Sequence, residues 1–248
     1  MFAPPYVPAD RLEPQLSELG HAVVAPATLG ALFGVEAGEL AALSPSWQDL
    51  PPDEYLRDGG RYRFRRHASL IADGDTLSLV PHRAHWQPLD YNALHGGLER
   101  WFAPVRDETL ALPGWRKLLL GLAHIASHLK GEQRWFIEAH QFRIDTSDGI
   151  GRPTPEGAHR DGVDFVAVFL VGRQGIKGGE SRVFEAQGPQ GQRFTMNEPW
   201  TLLLLDDERM IHETTPIQPL SASDKGWRDT LVITLRRGGF QDPQPGQA

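Results

Sequence analysis

The chain has 248 residues, 40% of them apolar, and 32 acidic against 25 basic side chains give a formal charge of −7; this suits one globular unit with a sizeable core and disfavours nucleic acid or an anionic membrane as a general partner. It contains no cysteine, which excludes disulfides, thiolate zinc sites, cysteine-ligated iron–sulfur clusters and cysteine nucleophiles. No apolar run approaches the roughly 18 residues of a membrane helix, and MFAPPYVPADRLEPQ lacks the basic-then-apolar pattern of a secretory signal, so a cytoplasmic location is expected.

In chain order, 12–19 and 37–43 read as short helices, with a strand over HAVVAP (21–26) between them. The arginines of RYRFRR (61–66) fall mainly at alternate positions, as on one face of a strand. A solvated face is the simpler expectation there, and a phosphate-binding patch the other. WRKLLLGLAHIASHLKG (115–131) is the clearest helix, because Leu118, Leu122, Ile125 and Leu129 recur at spacings of three and four and Gly131 supplies a stop. From residue 134 the texture changes. RWFIEAHQFRI, DFVAVFLV, ESRVFEA, QRFTM, WTLLLLD and DTLVITLRR are short runs rich in branched and aromatic residues, separated by loops that carry glycine and proline. Such a succession predicts an antiparallel sandwich or barrel, of which the jelly roll is one form. The expected organisation is a single domain over 1–248: a mixed α/β part over 1–133, a jelly-roll core over 134–237 and a frayed tail over 241–248.

The chemistry-bearing residues lie in that second half. In EGAHRDGVDF, His159 and Asp161 are two apart, so in an extended chain an imidazole and a carboxylate face the same side and converge on one metal ion. His212, at the end of a strand-like run, is the candidate third ligand. Two histidines and one carboxylate leave open positions of the kind non-haem iron(II) oxygenases use. Further on, Arg228 offers a bidentate, permanently charged partner for a carboxylate, and Thr230 shares its strand face. Arg236 and Arg237 are later candidates, at the far end of that strand.

Residues 140–143 lie on the strand before the metal loop and alternate, so His140 and Gln141 cannot both point inward. If Gln141 does, Arg143 does too and could meet a substrate carboxylate; otherwise this strand merely packs. Glu180 and Ser181 stay open. His159–Asp161 also reads HRD, as in a kinase catalytic loop, but Val166 stands where asparagine is required. His124 and His128 are four apart without the glutamate of a zinc-protease helix, and Gly149-x-Gly151 lacks the third glycine of a dinucleotide turn. His67, His82 and His85 are expected to be structural.

These residues carry a resemblance. The stretch from about 134 to 237 resembles the catalytic core of the iron(II)/2-oxoglutarate dioxygenases. GRPTPEGAHRDGVDFVAVFLV, GGES at 178–181, HETTPI and RDTLVITLRR, with the earlier RDGGRYRFRRHASL and LDYNALHGGLERWF, are similar to the bacterial branch containing L-isoleucine dioxygenase and related free amino-acid hydroxylases. The resemblance implies a mainly β fold, a double-stranded β-helix (cupin-like jelly roll) with flanking helices. It implies iron(II) on His159, Asp161 and His212, and 2-oxoglutarate on Arg228. The implied activity is hydroxylation of a free L-amino-acid side chain with O2, releasing succinate and CO2 and stimulated by ascorbate. A zwitterion also needs a cation for its carboxylate and an acceptor for its ammonium. Arg143 and Arg160 are candidates for the first, and Glu180 and Asp164 for the second. The alternatives are a protein or peptide hydroxylase with the same cofactors, and a non-catalytic cupin-like ligand-binding module.

Overall fold

Runs such as TLLLL at 201–205 show no alternation because both faces of their strand are buried, and that requirement shapes the architecture. The structure is a computed structural model describing residues 2–92, 94, 96–221 and 225–243. The strands in chain order are β1 (His21–Val24), β2 (Arg63–Asp73), β3 (Thr76–Leu79), β4 (Trp135–Asp145), β5 (Phe165–Gln174), β6 (Ile176–Gly178), β7 (Ser181–Glu185), β8 (Gly191–Phe194), β9 (Thr201–Asp206), β10 (Met210–Thr214), β11 (Ile217–Pro219) and β12 (Trp227–Arg236). Seven form one sheet in the order β1-β9-β5-β12-β4-β2-β3, three form a second sheet as β10-β7-β8, and β11 pairs with β6. Every pairing is antiparallel. This is the expected mainly β, double-stranded β-helix core. The N-terminal part is not a separate layer, since β1, β2 and β3 belong to the large sheet.

The expected helices at 12–19 and 37–43 are α1 (Leu12–Leu19) and α3 (Ala37–Leu43), with α2 (Leu29–Phe33) between them. Gly20 closes α1 in the left-handed region, φ 73°, where a Cβ would also collide with Met210 Sδ at 2.8 Å. Glu36 and Glu39 form a reciprocal capping box at the start of α3. After the short α4 (Asp107–Leu110), α5 (Pro113–Lys130) starts on a proline, whose missing N–H costs nothing in the first turn. Among the described residues no helix is long and apolar enough to cross a membrane.

The period of two sorts the large sheet into two surfaces. On one, Leu202 and Leu204, Phe165, Ala167 and Phe169, Leu231, Ile233 and Leu235, and Ile137 and Ala139 pack beneath Trp115, Leu118, Leu119 and Leu122 of α5 in the main apolar core. On the other, Leu203, Leu205, Val166 and Leu170 meet Val183, Phe194 and Met210 of the second sheet. Towards β12, β4 and β2 this second surface turns polar, and there the space between the sheets opens into a cavity. The stretch expected to fray begins with Gln241, which is buried and donates to the carbonyls of Asp161 and Gly162. Residues 244–248 lie outside the described residues.

Trp135 anchors the cavity-bearing strand β4 to the helical side: 1% exposed, it donates from Nε1 to Ser127 Oγ at 2.9 Å and packs edge-on against Phe165. Trp135→Ala is expected to cost about 3–5 kcal/mol, as for other large aromatic truncations. Equilibrium urea unfolding checks it, and a loss inside the surface-substitution range of about 0.5 kcal/mol would refute the anchoring role.

Candidate active site

The floor of the cavity is a grid set by register. Arg63 of β2 and Arg228 of β12 both lie opposite Ile144 of β4; Arg65 and Thr230 both lie opposite Phe142; His67 and Val232 both lie opposite His140. Arg228, Thr230, Val232 and Thr234 all face the cavity, as alternation requires, while Leu231, Ile233 and Leu235 go to the apolar core.

The opposing wall carries the three candidate metal ligands. His159 and His212 exchange backbone hydrogen bonds at 3.0 and 2.9 Å, which brings their rings to 4.6 Å between centroids. His159 Nε2 lies 3.9 Å from one oxygen of Asp161 and His212 Nε2 lies 3.8 Å from the other. One ligand atom from each of the three residues falls within 4.8 Å of the others. His159 Nδ1–H donates to Gly157 O at 2.9 Å, which leaves the Nε2 lone pair free for a cation. Burial, helped by the neighbouring His159, holds His212 down to about 3, so its imidazole is neutral and able to ligate. Burial alone would lower His159 too, but Asp161 and Glu156 beside it raise it instead.

The loop that presents Asp161 is held from behind. Asp207 is 1% exposed and accepts the N–H groups of Asp161, Gly162 and Val163 at 3.0, 2.7 and 3.0 Å. Gly162 has φ 75°, and a Cβ there would press into the Tyr91 ring at 2.5 Å. Gln87 Nε2 donates to Asp161 Oδ1 at 3.0 Å.

Two imidazoles and a carboxylate converging with vacant directions are a donor set that suits iron(II). Arg228 suits a carboxylate at the same cavity. It is 3% exposed, its Nε and Nη2 are buried without an acceptor among the described residues, and burial with nearby Arg173 lowers it to about 10. Its neighbour Asp229 is taken by Arg143.

Other expectations are corrected. Gln141 and Arg143 face away from the cavity, because on β4 the inward set is His140, Phe142 and Ile144. Gln141 donates to Ser46 Oγ at 2.7 Å, and Arg143 grips Asp229 at 2.8 and 2.7 Å. Arg160 donates to Glu208 O, Glu180 pairs with Arg182, and Asp164 pairs with Lys130 and Arg237. Arg63 and Arg65 are not on a solvated face; both are buried and line the cavity. The structure also adds His85, Gln87, Asn92 and Arg100, from the segment between β3 and α4, and Glu156. Asn92, Arg100 and Glu156 fall within the stretches that carry the family resemblance, but no period of their loops shows which way a side chain points.

His67, His85, Glu138 and His140 form a second convergence of ligand-type groups, all buried. These atoms are engaged with one another: His67 and His85 donate to the two Glu138 oxygens at 3.2 and 3.1 Å, and Arg65 donates to His140 Nδ1 at 2.8 Å. A guanidinium at that distance opposes a second cation, so the group reads as a buried network that braces the cavity wall, in keeping with the structural role expected for His67 and His85.

The family model of the 2OG-Fe dioxygenases matches residues 44–234. A crystal structure of a bsmA homolog from Methylobium petroleophilum PM1 is 52% identical over 96% of this chain and 97% of that one, with a TM-score of 0.92. IDO from Bacillus thuringiensis, 17% identical over 95% and 97% of the two chains, superposes with a TM-score of 0.74. The Fe(II)/(alpha)ketoglutarate-dependent dioxygenase TqaL, 19% identical over 96% and 91%, gives 0.72. At those identities the last two speak for the fold alone. Among curated proteins no match is found.

Removing Asp161 and removing its support should differ in degree. Asp161→Ala is expected to abolish tight iron(II) binding, whereas Asp207→Ala, which frees three N–H groups behind the ligand, should weaken it by about 10- to 100-fold. Anaerobic iron(II) titration with circular dichroism as a folding control reads both. Wild-type affinity in Asp161→Ala would falsify the site.

Proposed function

Because the chain belongs to the 2OG-Fe dioxygenase family, whose chemistry runs on iron(II), 2-oxoglutarate and O2, we propose that it hydroxylates the side chain of a free L-amino acid. The observation that carries this reading is the cavity itself. It lies between two sheets, with His159, Asp161 and His212 on one wall, and much of its lining is buried side chains such as Arg63, Arg65 and Arg100. A recessed cavity lined by buried charged side chains suits a small ionic metabolite, whereas a protein or peptide substrate needs an open groove to lie in. Membership of an enzyme family sets aside the non-catalytic module.

In this reading His159, Asp161 and His212 hold iron(II), and Arg228 with Thr230 holds the far carboxylate of 2-oxoglutarate. Once bound, iron with 2-oxoglutarate and O2 supplies oxidation of an unactivated C–H bond, with succinate and CO2 released. The chain's own residues orient and shield. Gln87 donates to the Asp161 carboxylate, and Asp207 holds the Asp161 backbone. Gly157 O sets the His159 tautomer. Ile144 and Phe142 stand between Arg228 and the Arg63 and Arg65 pair, and Val168 and Val232 add apolar lining. Arg228 is the permanently charged fork that a distal carboxylate requires.

Arg228→Ala removes a charge-assisted contact worth about 1.5–3 kcal/mol, so the apparent KM for 2-oxoglutarate should rise by roughly 10- to 150-fold with iron(II) affinity retained. If that KM stays at the wild-type value, another arginine holds the cosubstrate. The substrate class is tested by competition among free L-isoleucine, L-leucine, L-methionine, their N-acetyl derivatives and short peptides containing them, following succinate and single-oxygen mass gains. The free amino acids should dominate. An apolar pocket separates neighbours by only about 1–3 kcal/mol per methylene, so several of them should be turned over. Equal oxidation of blocked or peptide forms would give the site to a peptide hydroxylase instead.

A further inference from the structure

The cavity holds more positive charge than a cosubstrate arginine accounts for. On the far side of Ile144 and Phe142 from Arg228 stand Arg63 and Arg65, joined by Arg100 from the segment before α4. All three are buried, at 5%, 4% and 2% exposure. Asp53 is the carboxylate that Arg63 and Arg65 share: it takes Arg63 Nε at 2.7 Å and lies 3.6 Å from Arg65 Nη1. Arg65 is further held between the rings of Phe102 and Phe142, its guanidinium carbon 3.6 and 4.3 Å from their centroids. Arg100 has no carboxylate in ion-pair range among the described residues; its Nη2 donates to Gln87 Oε1 at 2.9 Å.

Three nitrogens of this cluster, Arg63 Nη2, Arg65 Nε and Arg100 Nε, are buried without an acceptor among the described residues. The neighbouring histidines bring no relief. His85 and His140 are held neutral by burial, and Glu138 is spent on His67, His85 and Arg83. Three buried guanidinium groups, of which only two have a carboxylate partner among the described residues, are costly until an anion arrives. The facing wall has the complementary feature: Glu156 lines the cavity, with Oε1 3.5 Å from His159 Nε2 and Oε2 buried without a donor among the described residues.

We infer that Arg63, Arg65 and Arg100 form the subsite for the substrate carboxylate, and that Glu156 accepts its ammonium group. This deepens the amino-acid reading and rests on it for the identity of the ligand. Adjacent strands are about 4.8 Å apart, so the backbones of Arg63 and Arg228, two strands apart, are separated by about 10 Å. That spacing accommodates two separate carboxylates, one for the cosubstrate and one for the substrate. Gln87 ties the two functions together, accepting from Arg100 and donating to Asp161. A substrate gripped at its carboxylate then presents its side chain towards the metal-ligand wall, and its reach from that grip selects the carbon oxidised.

The test is anaerobic calorimetric titration of the protein loaded with iron(II) and 2-oxoglutarate. Three probes of one shape are used: L-leucine, 4-methylpentanoate and 4-methylpentanamide. Wild type should bind the acid more tightly than the amide. Arg100→Gln should lose about 10- to 150-fold for the acid, with amide binding and 2-oxoglutarate affinity unchanged and the ligand-free Tm not lowered. Arg100→Lys, which keeps the charge, should retain part of the preference for the acid. Glu156→Gln should erase the preference for L-leucine over 4-methylpentanoate, both titrated at saturating iron(II). Unchanged acid binding in Arg100→Gln overturns the inference, as does a fall in 2-oxoglutarate affinity, which would assign the cluster to the cosubstrate. A lowered Tm with intact affinity also overturns it, leaving the arginines a packing role. If the acid binds through Arg100 but no amino acid is oxidised, the carboxylate subsite stands and the amino-acid reading falls; if amino acids are oxidised without any preference for acid over amide, the reverse holds.

Discussion

Strands β2, β4 and β12 have to serve two unlike environments at once, and the alternation of their side chains is the constraint on which the site depends. One set, Ala139, Ile137, Leu231, Ile233 and Leu235 among them, must be apolar to seat the helices. The other set is thereby assigned to the space between the sheets, where it carries arginine, histidine and threonine. A one-residue slip in any of these strands would exchange the two sets, placing guanidinium groups under α5 and leucines against the metal ligands. The apolar face therefore specifies the position of the polar one, and the ten paired positions along β4 and β12 fix both.

The metal-ligand wall is built by a different device. His159 and Asp161 do not lie in one of the long strands; a single bridge to His212 and the Asp207 carboxylate hold their loop. Three N–H donors on one buried carboxylate replace the ladder that a loop lacks, which is why a short, glycine-bearing turn can hold a ligand in place. The arginines opposite are fixed by similarly specific means: Asp53 and two aromatic rings for Arg65, and the Gln87 amide for Arg100. Both walls of the cavity are thus held in place from behind, and its lining arginines keep guanidinium nitrogens without an acceptor among the described residues.

Much of this was legible in the residues themselves. The helices at 12–19 and 37–43 and the long helix before residue 131 carry their periodicity and stops openly. The late strands declare themselves by branched and aromatic runs between glycine-rich loops. His159 and Asp161, and Arg228 with Thr230, are pairs two apart, so an extended backbone alone puts each pair on one face.

What could not be read was which face meets what. RYRFRR looks the same whether its strand is solvated or lies between β3 and β4 with its arginines enclosed; only pairing decides, and pairing is non-local. The inward set on β4 was likewise undecidable between His140 and Gln141 until Trp135, Ile137 and Ala139 were seen beneath the helices. Asp207, Gln87, Arg100 and Glu156 reach the site from loops, where no period links sequence to direction. Local spacing determined which groups share a face; the tertiary structure alone decided that those faces confront one another across a cavity, because burial is a property of the neighbours and not of the strand.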